Sequence, residues 1–339
     1  MAFRKTGYAA LGIGAMALAG CGGGGAAEEG TSVRMAHVFP ASSVIHEAAE
    51  TFGEEVATAT DGSLNVTVYP SGQLGGDVEM GEGLVNGSLD CGWLNHPAAG
   101  MDDRLQAGFL PYIVTTYEGS DALFYGDGVI AQRDREVLDE LGVHALEFYE
   151  NDFRGLTNSV HEVTSPGDLE GLKIRVPELP MYVELFEAWG AQPLPIAFPE
   201  LYTALQQGTV DGQDNGIVLT FDSKFGEVQD FFTRTNHAYG AGVIACSNEL
   251  WESLSADEQA AMEEAAKKAS AQQVEANRAA VEDKLQGLKD AGVEVTELNA
   301  DQIEAFKAAS DKVWEANVDV FGAEFLDEVR AAAEAAEGQ

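Results

Sequence analysis

Basic residues are scarce in this chain of 339 residues: 19 Lys and Arg stand against 57 Asp and Glu, which gives a formal net charge of −38. Such a surface repels polyanions, so nucleic acid is excluded as a partner. The carboxylate excess is typical of a protein from a high-salt environment, because salt screens the self-repulsion of a compact acidic chain. Hydrophobic residues make up 45% of the chain, enough for a substantial core and two domains.

The chain also lacks an apolar run of the ~20 residues that a membrane-spanning helix needs. A shorter run follows Arg4 and Lys5 and ends at Cys21 before a Gly/Ala-rich stretch, as in bacterial lipoprotein signals; an ordinary signal peptide is the alternative. We expect loss of residues 1–20, a lipid on Cys21 and a flexible linker over 21–31. Taking Arg4 and Lys5 from the 19 basic residues leaves 17, and the net charge becomes −40.

Cysteine is nearly absent from the rest of the chain, where only Cys91 and Cys246 occur. Both lie in apolar, strand-like contexts, "LDCGW" and "VIACS". In an oxidising compartment they can form one disulfide, and in a core they can equally remain buried free thiols. The sequence leaves both alternatives open.

Motifs for nucleotide binding, serine hydrolysis and zinc proteolysis are missing. The stretch "DGQDNG" from Asp211 partly matches a calcium loop, but Gln213 and Asp222 are poor ligands at their positions. The six histidines have no metal-like spacing, although His37 and His96 lie at predicted strand ends, where open α/β sheets bind ligands. The sequence therefore predicts no catalytic residue, no metal and no cofactor.

Strand and helix patterns alternate along the chain, which predicts an α/β fold with parallel strand pairs and crossover helices. A long Ala/Glu/Lys-rich helix is predicted from Ala256 to a stop at Gly292. This order indicates two α/β lobes and a long helix, the layout of a clamp-like binding protein. We expect lobe I to comprise residues 32–151 and 241–280, and lobe II residues 152–240 and 281–339.

The stretch "GLKIRVP", residues 171–177, alternates apolar residues with Lys173 and Arg175 and ends at Pro177. Period-two alternation predicts a strand with one apolar and one cationic face. Periodicity alone favours a solvent-facing Arg175. Yet Glu136–Thr233 contains 18 acidic and only four basic residues, Arg154, Lys173, Arg175 and Lys224, so a positive charge here calls for an explanation.

Five segments together resemble the solute-binding proteins of TRAP transporters, the tripartite ATP-independent periplasmic systems. They occur in the order and spacing of that family between about Val33 and Leu254. The segments are "YPSGQLGGDVEM", "GSLDCGWLN", "GLKIRVP", "FPELYTALQQGTVDGQDN" and "KFGEVQDFFTRTNHAY". The resemblance implies a two-lobed periplasmic-binding-protein fold, with hinge strands and a long helix that spans the lobes, that closes on a carboxylate-bearing solute.

The resemblance also implies a role for particular residues. The arginine of the family's GLKxRVP motif corresponds to Arg175, expected to hold the solute carboxylate in a bidentate pair that a lysine cannot form. Three further ligand contacts are expected from their positions in the family's motifs: Arg154, Phe198 as an apolar wall and Asn215 as an amide donor. Asp77, Trp93 and Asn95 are expected at the cleft face of lobe I, and His37 is expected at a strand end.

The expected function is that of a periplasmic, lipid-anchored and monomeric receptor, without enzymatic activity, that binds an organic acid and delivers it to the TRAP membrane permease subunits. Its solute remains open among 2-oxo acids, sugar acids, dicarboxylates, aromatic acids and sulfonates, as does a cation bound alongside. Two alternatives use the same architecture: a sensory ligand-binding module, and a secreted carboxylate-processing enzyme.

Overall fold

A computed structural model describes residues 30–95 and 101–338. The predicted signal peptide, the lipidation site Cys21, most of the linker and His96 lie outside these residues. Within the described part, no helix is both long and apolar enough to cross a bilayer.

The strands form one mixed sheet in the order β2-β1-β3-β9-β4-β7-β5-β6, and β8 pairs with both β4 and β10. Strands β1 and β2 are parallel and joined by a crossover helix, as the alternating pattern predicts. The strand bounds are β1 (Thr31–Ala36), β2 (Leu64–Tyr69), β3 (Cys91–Leu94), β4 (Val143–Asn158), β5 (Lys173–Val176), β6 (Gln192–Pro195), β7 (Gly212–Gly216), β8 (Phe231–Arg234), β9 (Tyr239–Ser247) and β10 (Glu294–Glu297).

Helices cover the sheet, and their starts follow local capping rules: Ser43 caps the first helix, and Ser255 with Glu258 forms a capping box at the long one. Short 3₁₀ turns lie at Asp103–Phe109, Pro166–Leu169, Phe198–Glu200 and Phe225–Glu227. The α-helices are α1 (Val44–Ala59), α2 (Asp77–Val85), α3 (Tyr117–Phe124), α4 (Val129–Glu140), α5 (Pro180–Ala188), α6 (Leu201–Gln206), α7 (Ile217–Asp222), α8 (Asn248–Ser253), α9 (Ala256–Asp290), α10 (Ala300–Ala316), α11 (Val318–Phe321) and α12 (Ala323–Glu337).

Strand β4 joins the two halves of the sheet. Its first part pairs with β9, and its last residues pair with β7 and β8. The pattern analysis predicts a strand only near Gly155–Ser159, whereas β4 begins at Val143. Two register shifts, between Ala145 and Glu147 and between Glu150 and Phe153, explain the difference, because each bulge breaks the period-two alternation that marks a strand.

The long helix α9 packs on α1 and β4 in the first half of the sheet and on α7 in the second. At the C-terminus, α10 packs on α5, whereas α12 packs on α3 and α4. Residues 281–339, predicted to belong to lobe II, thus contact both halves. The lobe bounds remain a prediction.

Cys91 and Cys246 are directly opposite each other on the antiparallel strands β3 and β9 and form a disulfide, with their Cα atoms 4.0 Å apart. Of the two alternatives that the sequence leaves open, the structure has the bonded pair. It joins positions 155 residues apart in the chain and fixes β3 beside β9. Trp93, two residues after Cys91, lies on the same short strand.

Candidate ligand-binding site

Arg175 lies in β5 with only 2% of its surface exposed. The period-two prediction of a solvent-facing arginine is therefore wrong. Lys173, two residues earlier, is exposed as predicted, but the segment 196–198 covers the strand at Arg175. Nε of Arg175 donates to the carbonyl oxygen of Ile196 at 2.8 Å, and Cζ lies 5.8 Å from the ring centroid of Phe198.

The Arg175 guanidinium has no acidic partner within ion-pair distance among the described residues, and its Nη1 is buried without a hydrogen bond there. Burial lowers the pKa of Arg175 from its ordinary value to about 10; the negative charge of Asp214 opposes this fall, and the positive charge of Arg154 adds to it. An anion that bound beside this buried cation would compensate its charge and lower the free energy of the site.

Arg154, by contrast, already has an anionic partner. It lies at the end of β4 that pairs with β7, and its Nε donates to Oδ2 of Asp214 at 2.7 Å while Nη2 donates to the Asp214 carbonyl oxygen at 2.8 Å. Burial acts to lower the pKa of Arg154, but the charge and the hydrogen bond of Asp214, together with Tyr182 and Asp77, outweigh burial, and the pKa is raised. Nη1 of Arg154 has no protein partner in the described residues.

Asp214 is held between Arg154 and His237, whose Nε2 lies 3.5 Å from Oδ2. Burial alone would raise the pKa of Asp214, but the charge of Arg154 and the nearby imidazole of His237 hold it below its ordinary value. Burial lowers the pKa of His237, which sits among aromatic rings, including that of Trp189 at 5.2 Å. The ion pair therefore fixes the Arg154 guanidinium in one orientation.

Asn215 follows Asp214 on β7 and is fully buried. Its Nδ2 donates to Oε1 of Gln213 at 2.5 Å, and Gln213 in turn donates to Oγ1 of Thr157 at 3.0 Å. Oδ1 of Asn215 has no hydrogen bond within the described chain. The side chain thus presents a fixed amide group at the strand that carries Asp214.

The opposite wall is formed by Trp93 on β3 and Tyr149 on β4, whose ring centroids are 5.0 Å apart. Both are fully buried, and neither Trp93 Nε1 nor the Tyr149 hydroxyl has a hydrogen-bond partner in the described residues. Burial raises the pKa of Tyr149, and the charge of Asp77 adds to the effect, so the phenol stays protonated. The wall offers two donors.

Asp77 opens helix α2 and is 7% exposed. Its Oδ1 accepts from the backbone N–H of Asn95 at 3.0 Å, and Oδ1 of Asn95 accepts from Nδ2 of Asn151 at 2.8 Å. These contacts connect α2, the end of β3 and the bulge of β4. They hold Asp77 and Asn95 together, as expected if both face one site.

The two walls lie against each other. A Cβ atom on Gly72, before α2, would lie 2.5 Å from Cγ of Pro199, and one on Gly76 would lie 3.5 Å from Cβ of Ala197. Because Phe198 is in the same segment and Ile196 binds Arg175, α2 and its loop close directly over the Arg175 side. All eight predicted ligand contacts are at most 8% exposed.

His37 is buried but turned to a different set of partners. Its Nδ1 accepts from the backbone N–H of Phe39 at 3.2 Å, and its Nε2 lies 3.1 Å from Nδ1 of His46. Burial lowers the pKa of His37 to about 3, helped by His46, so the ring is neutral. Since both nitrogens are engaged, the predicted ligand contact of His37 would be limited to its ring face.

Three site residues were not predicted: Tyr149, Asp214 and His237. The bulges in β4 hide Tyr149 from pattern analysis. Asp214 lies in the motif "DGQDN". The feature that marks it is a run of polar residues that are buried along the whole of strand β7. No cluster of three metal-binding side chains occurs in residues 30–95 and 101–338.

Two walls with unpaired donors, closed over a buried arginine, are the arrangement of a receptor for a small anion. The sequence model of the family described as "Bacterial extracellular solute-binding protein, family 7" matches residues 35–319. The chain belongs to this family.

Individual members of family 7 are similar over most of their length. The sugar acid binding protein DctPAm of Advenella mimigardefordensis, solved with galactonate, superposes with a TM-score of 0.86 at 30% identity, over 91% of this chain and 99% of that one. The C4-dicarboxylate-binding periplasmic protein DctP of Rhodobacter capsulatus is 31% identical, over 88% of this chain and 90% of its own.

A third family 7 relative is the 2,3-diketo-L-gulonate-binding periplasmic protein YiaO of Escherichia coli, 31% identical over 74% of this chain and 76% of its own. The predicted membership in the TRAP solute-binding proteins and the predicted two-lobed α/β fold are confirmed by these matches. The family and its neighbours are solute-binding proteins, and at that level they are not enzymes.

Proposed function

We propose that this chain is the extracytoplasmic solute receptor of a TRAP transporter, that Arg175 holds the carboxylate of an organic acid, and that the loaded receptor delivers it to the permease subunits in the membrane. One observation carries the proposal: Arg175 is a buried cation whose Nη1 has no partner in the described residues. Leaving such a group uncompensated is costly, whereas a carboxylate matches the planar fork of the guanidinium.

The remaining site residues fit the same role. Arg154 offers one further N–H while its charge is balanced by Asp214, and Asn215 offers its amide beside it. Trp93 and Tyr149 supply two neutral donors on the facing wall. A small anion would therefore have its charge held by Arg175 and its polar substituents held by the other groups, which is how small-molecule sites combine affinity with orientation.

The relatives support an acid as the solute. Those named above bind galactonate, C4-dicarboxylates and 2,3-diketo-L-gulonate, and each of these ligands carries a carboxylate. The set contains both monocarboxylates and dicarboxylates, so family membership leaves the class of acid open.

Location follows the relatives, which are named as periplasmic. Lipid attachment at Cys21 and a monomeric state are further parts of the proposal. Mass spectrometry of the membrane-associated protein should find a lipid on Cys21, and Cys21→Ser should release the protein from the membrane. Light scattering of the released form should give the mass of one chain.

Native mass spectrometry of the purified protein tests the proposed function. We expect an adduct whose mass is that of an organic acid, and we expect calorimetry with that acid to give one site per chain. A protein that carries no adduct and binds no acid from a panel of monocarboxylates and dicarboxylates would contradict the proposal.

A further inference from the structure

Lys224 is one of the four basic residues of the segment Glu136–Thr233, and it lies outside the site formed around Arg175. It is placed between α7 and the 3₁₀ turn Phe225–Glu227. Its backbone is left-handed, with φ 59° and ψ 28°, a conformation that residues other than glycine seldom adopt and that costs stability. A lysine gains nothing from this backbone, so the strain points to a role for its side chain.

Lys224 lines a cavity of about 350 Å³ between the two halves of the molecule. Ser42, in the loop between β1 and α1, forms the wall on one side, and α7, the following 3₁₀ turn and the end of α9 form the other. The Ser42 loop lies beside the loop before α2, since the N–H of Ser71 donates to the carbonyl oxygen of Phe39 at 2.9 Å. That second loop closes against Pro199, so the cavity lies at the rim where the two halves meet.

Two aromatic rings connect Lys224 to the proposed carboxylate site. Phe225, the next residue along the chain, is buried, and its ring centroid lies 6.1 Å from that of Phe198. The ring of Phe198 in turn lies 5.8 Å from Cζ of Arg175. This sequence of contacts places the cavity at the entrance to the site that Arg175 occupies.

The charged groups of the cavity wall differ in how they are paired. Nζ of Lys284 lies 2.6 Å from Oδ1 of Asp222, so these two charges balance each other. Glu227 accepts a hydrogen bond from the Tyr202 hydroxyl at 2.9 Å. Lys224 is exposed and forms no ion pair within the described part of the chain. Its ammonium group is therefore available to an anion that arrives at the rim.

We infer that Lys224 is the entry residue of the receptor, the cation that a solute anion meets first on its way to Arg175. The inference rests on the proposed function and adds a route of entry to it. A chain with a formal net charge of −38 repels an anion over most of its surface, which slows association. An unpaired cation at the rim attracts the carboxylate locally, and a charge in such a position acts mainly on the rate of association.

Stopped-flow tryptophan fluorescence measures both rate constants for an acid drawn from a panel that includes galactonate, 2,3-diketo-L-gulonate and succinate. In 0.1 M salt, Lys224→Asn should lower the association rate constant about three- to fivefold and leave the dissociation rate constant within about twofold of wild type. In 1 M salt, where the Debye length is about 3 Å, the difference should disappear. Asparagine tolerates the left-handed backbone, so this variant should fold at least as well as the wild type.

Two further variants separate the position of a charge from its amount. Lys173→Gln removes the same positive charge from an exposed position outside the cavity, and it should change the association rate constant by less than about 1.5-fold. Glu227→Gln removes a negative charge from the cavity wall, while its amide oxygen can still accept from Tyr202. It should raise the association rate constant by about the factor that Lys224→Asn loses.

The outcomes keep this inference apart from the proposed function. Equal association rate constants in Lys224→Asn and Lys173→Gln would overturn the entry role and leave the receptor function standing. A change confined to the dissociation rate constant would also overturn it, because Lys224 would then act in the bound complex. So would a loss in Lys224→Asn that persists in 1 M salt, since screening removes an electrostatic effect at the rim. Failure of every acid in the panel to bind would count against both proposals.

Discussion

Replacement of Arg175 by alanine should weaken solute binding by about two orders of magnitude and leave the fold intact. Burial lowers the pKa of this arginine to about 10, and at roughly 1.4 kcal/mol per pH unit the fall from its ordinary value corresponds to a cost of about 3 kcal/mol for holding the charge in the closed site. A bound carboxylate has to offset at least this cost. Loss of one partner of a buried charge pair typically costs about 2 to 5 kcal/mol, in line with that figure.

Arg175→Ala should have opposite effects on solute binding and on the stability of the free protein. Without solute, Arg175→Ala removes an uncompensated buried charge, so the melting temperature of the free protein should not fall. With solute, the stabilisation that the wild type gains from binding should disappear. Arg175→Lys should bind nearly as poorly as alanine, because one ammonium cannot replace the two parallel hydrogen bonds of the fork.

Titration calorimetry and thermal melting, with and without the acid identified by mass spectrometry, measure both effects. Lys173→Ala is the matched control, since it removes the same charge from the same strand at an exposed position. An affinity of Arg175→Ala within about threefold of wild type would refute the role of Arg175. So would an equal loss of affinity in Lys173→Ala.

Three further predictions concern pH, salt and motion. The carboxyl group of Asp152, at a positive φ in the bulge of β4, has its pKa raised to about 6 by burial and by Glu150. The folded state thus keeps a proton that the unfolded state loses near pH 4, so stability falls as the pH rises from about 4 to 6; Asp152→Asn should raise the melting temperature at pH 7.5 and not at pH 3.5, and an equal change at both would contradict this. The melting temperature should also rise up to molar salt, where the Debye length is about 3 Å, and a flat or falling curve would argue against high-salt adaptation. Small-angle scattering should show the radius of gyration fall when solute binds, together with a change in tryptophan fluorescence that Trp93→Phe removes; a tight-binding acid without compaction would point to a rigid site.

Motif resemblance predicts the site better than periodicity does. The alternation of "GLKIRVP" places Lys173 and Arg175 on one face correctly, but it carries no information about the segment 196–198 that covers only the second of them. The family motif supplies that context, because cover by a distant segment is a property of the whole fold. For this reason Arg175 enters the sequence prediction only through the resemblance.

Other features depend on strand order, which local patterns do not encode. The Cys91–Cys246 bond requires β3 and β9 to be neighbours although 155 residues separate the two cysteines. Tyr149 joins the site because two bulges shift the register of β4. Asp214 lies in strand β7, which is polar and glycine-rich yet buried along its whole length. The composition of this stretch alone resembles a turn or a calcium loop.

The pairing of Phe153 with Tyr239 has a consequence for how receptors of this kind can diversify. These two residues are neighbours on β4 and β9, so the chain leaves the first half of the sheet and returns to it at one place. The stretch between them, residues 154–238, contains Arg154, Arg175 and Asn215. A recombination event with both breakpoints at this pair would move the arginines as a single continuous piece of gene, while the wall with Asp77 stayed behind. The arginines proposed to bind the carboxylate and the wall that closes over them would then be inherited separately.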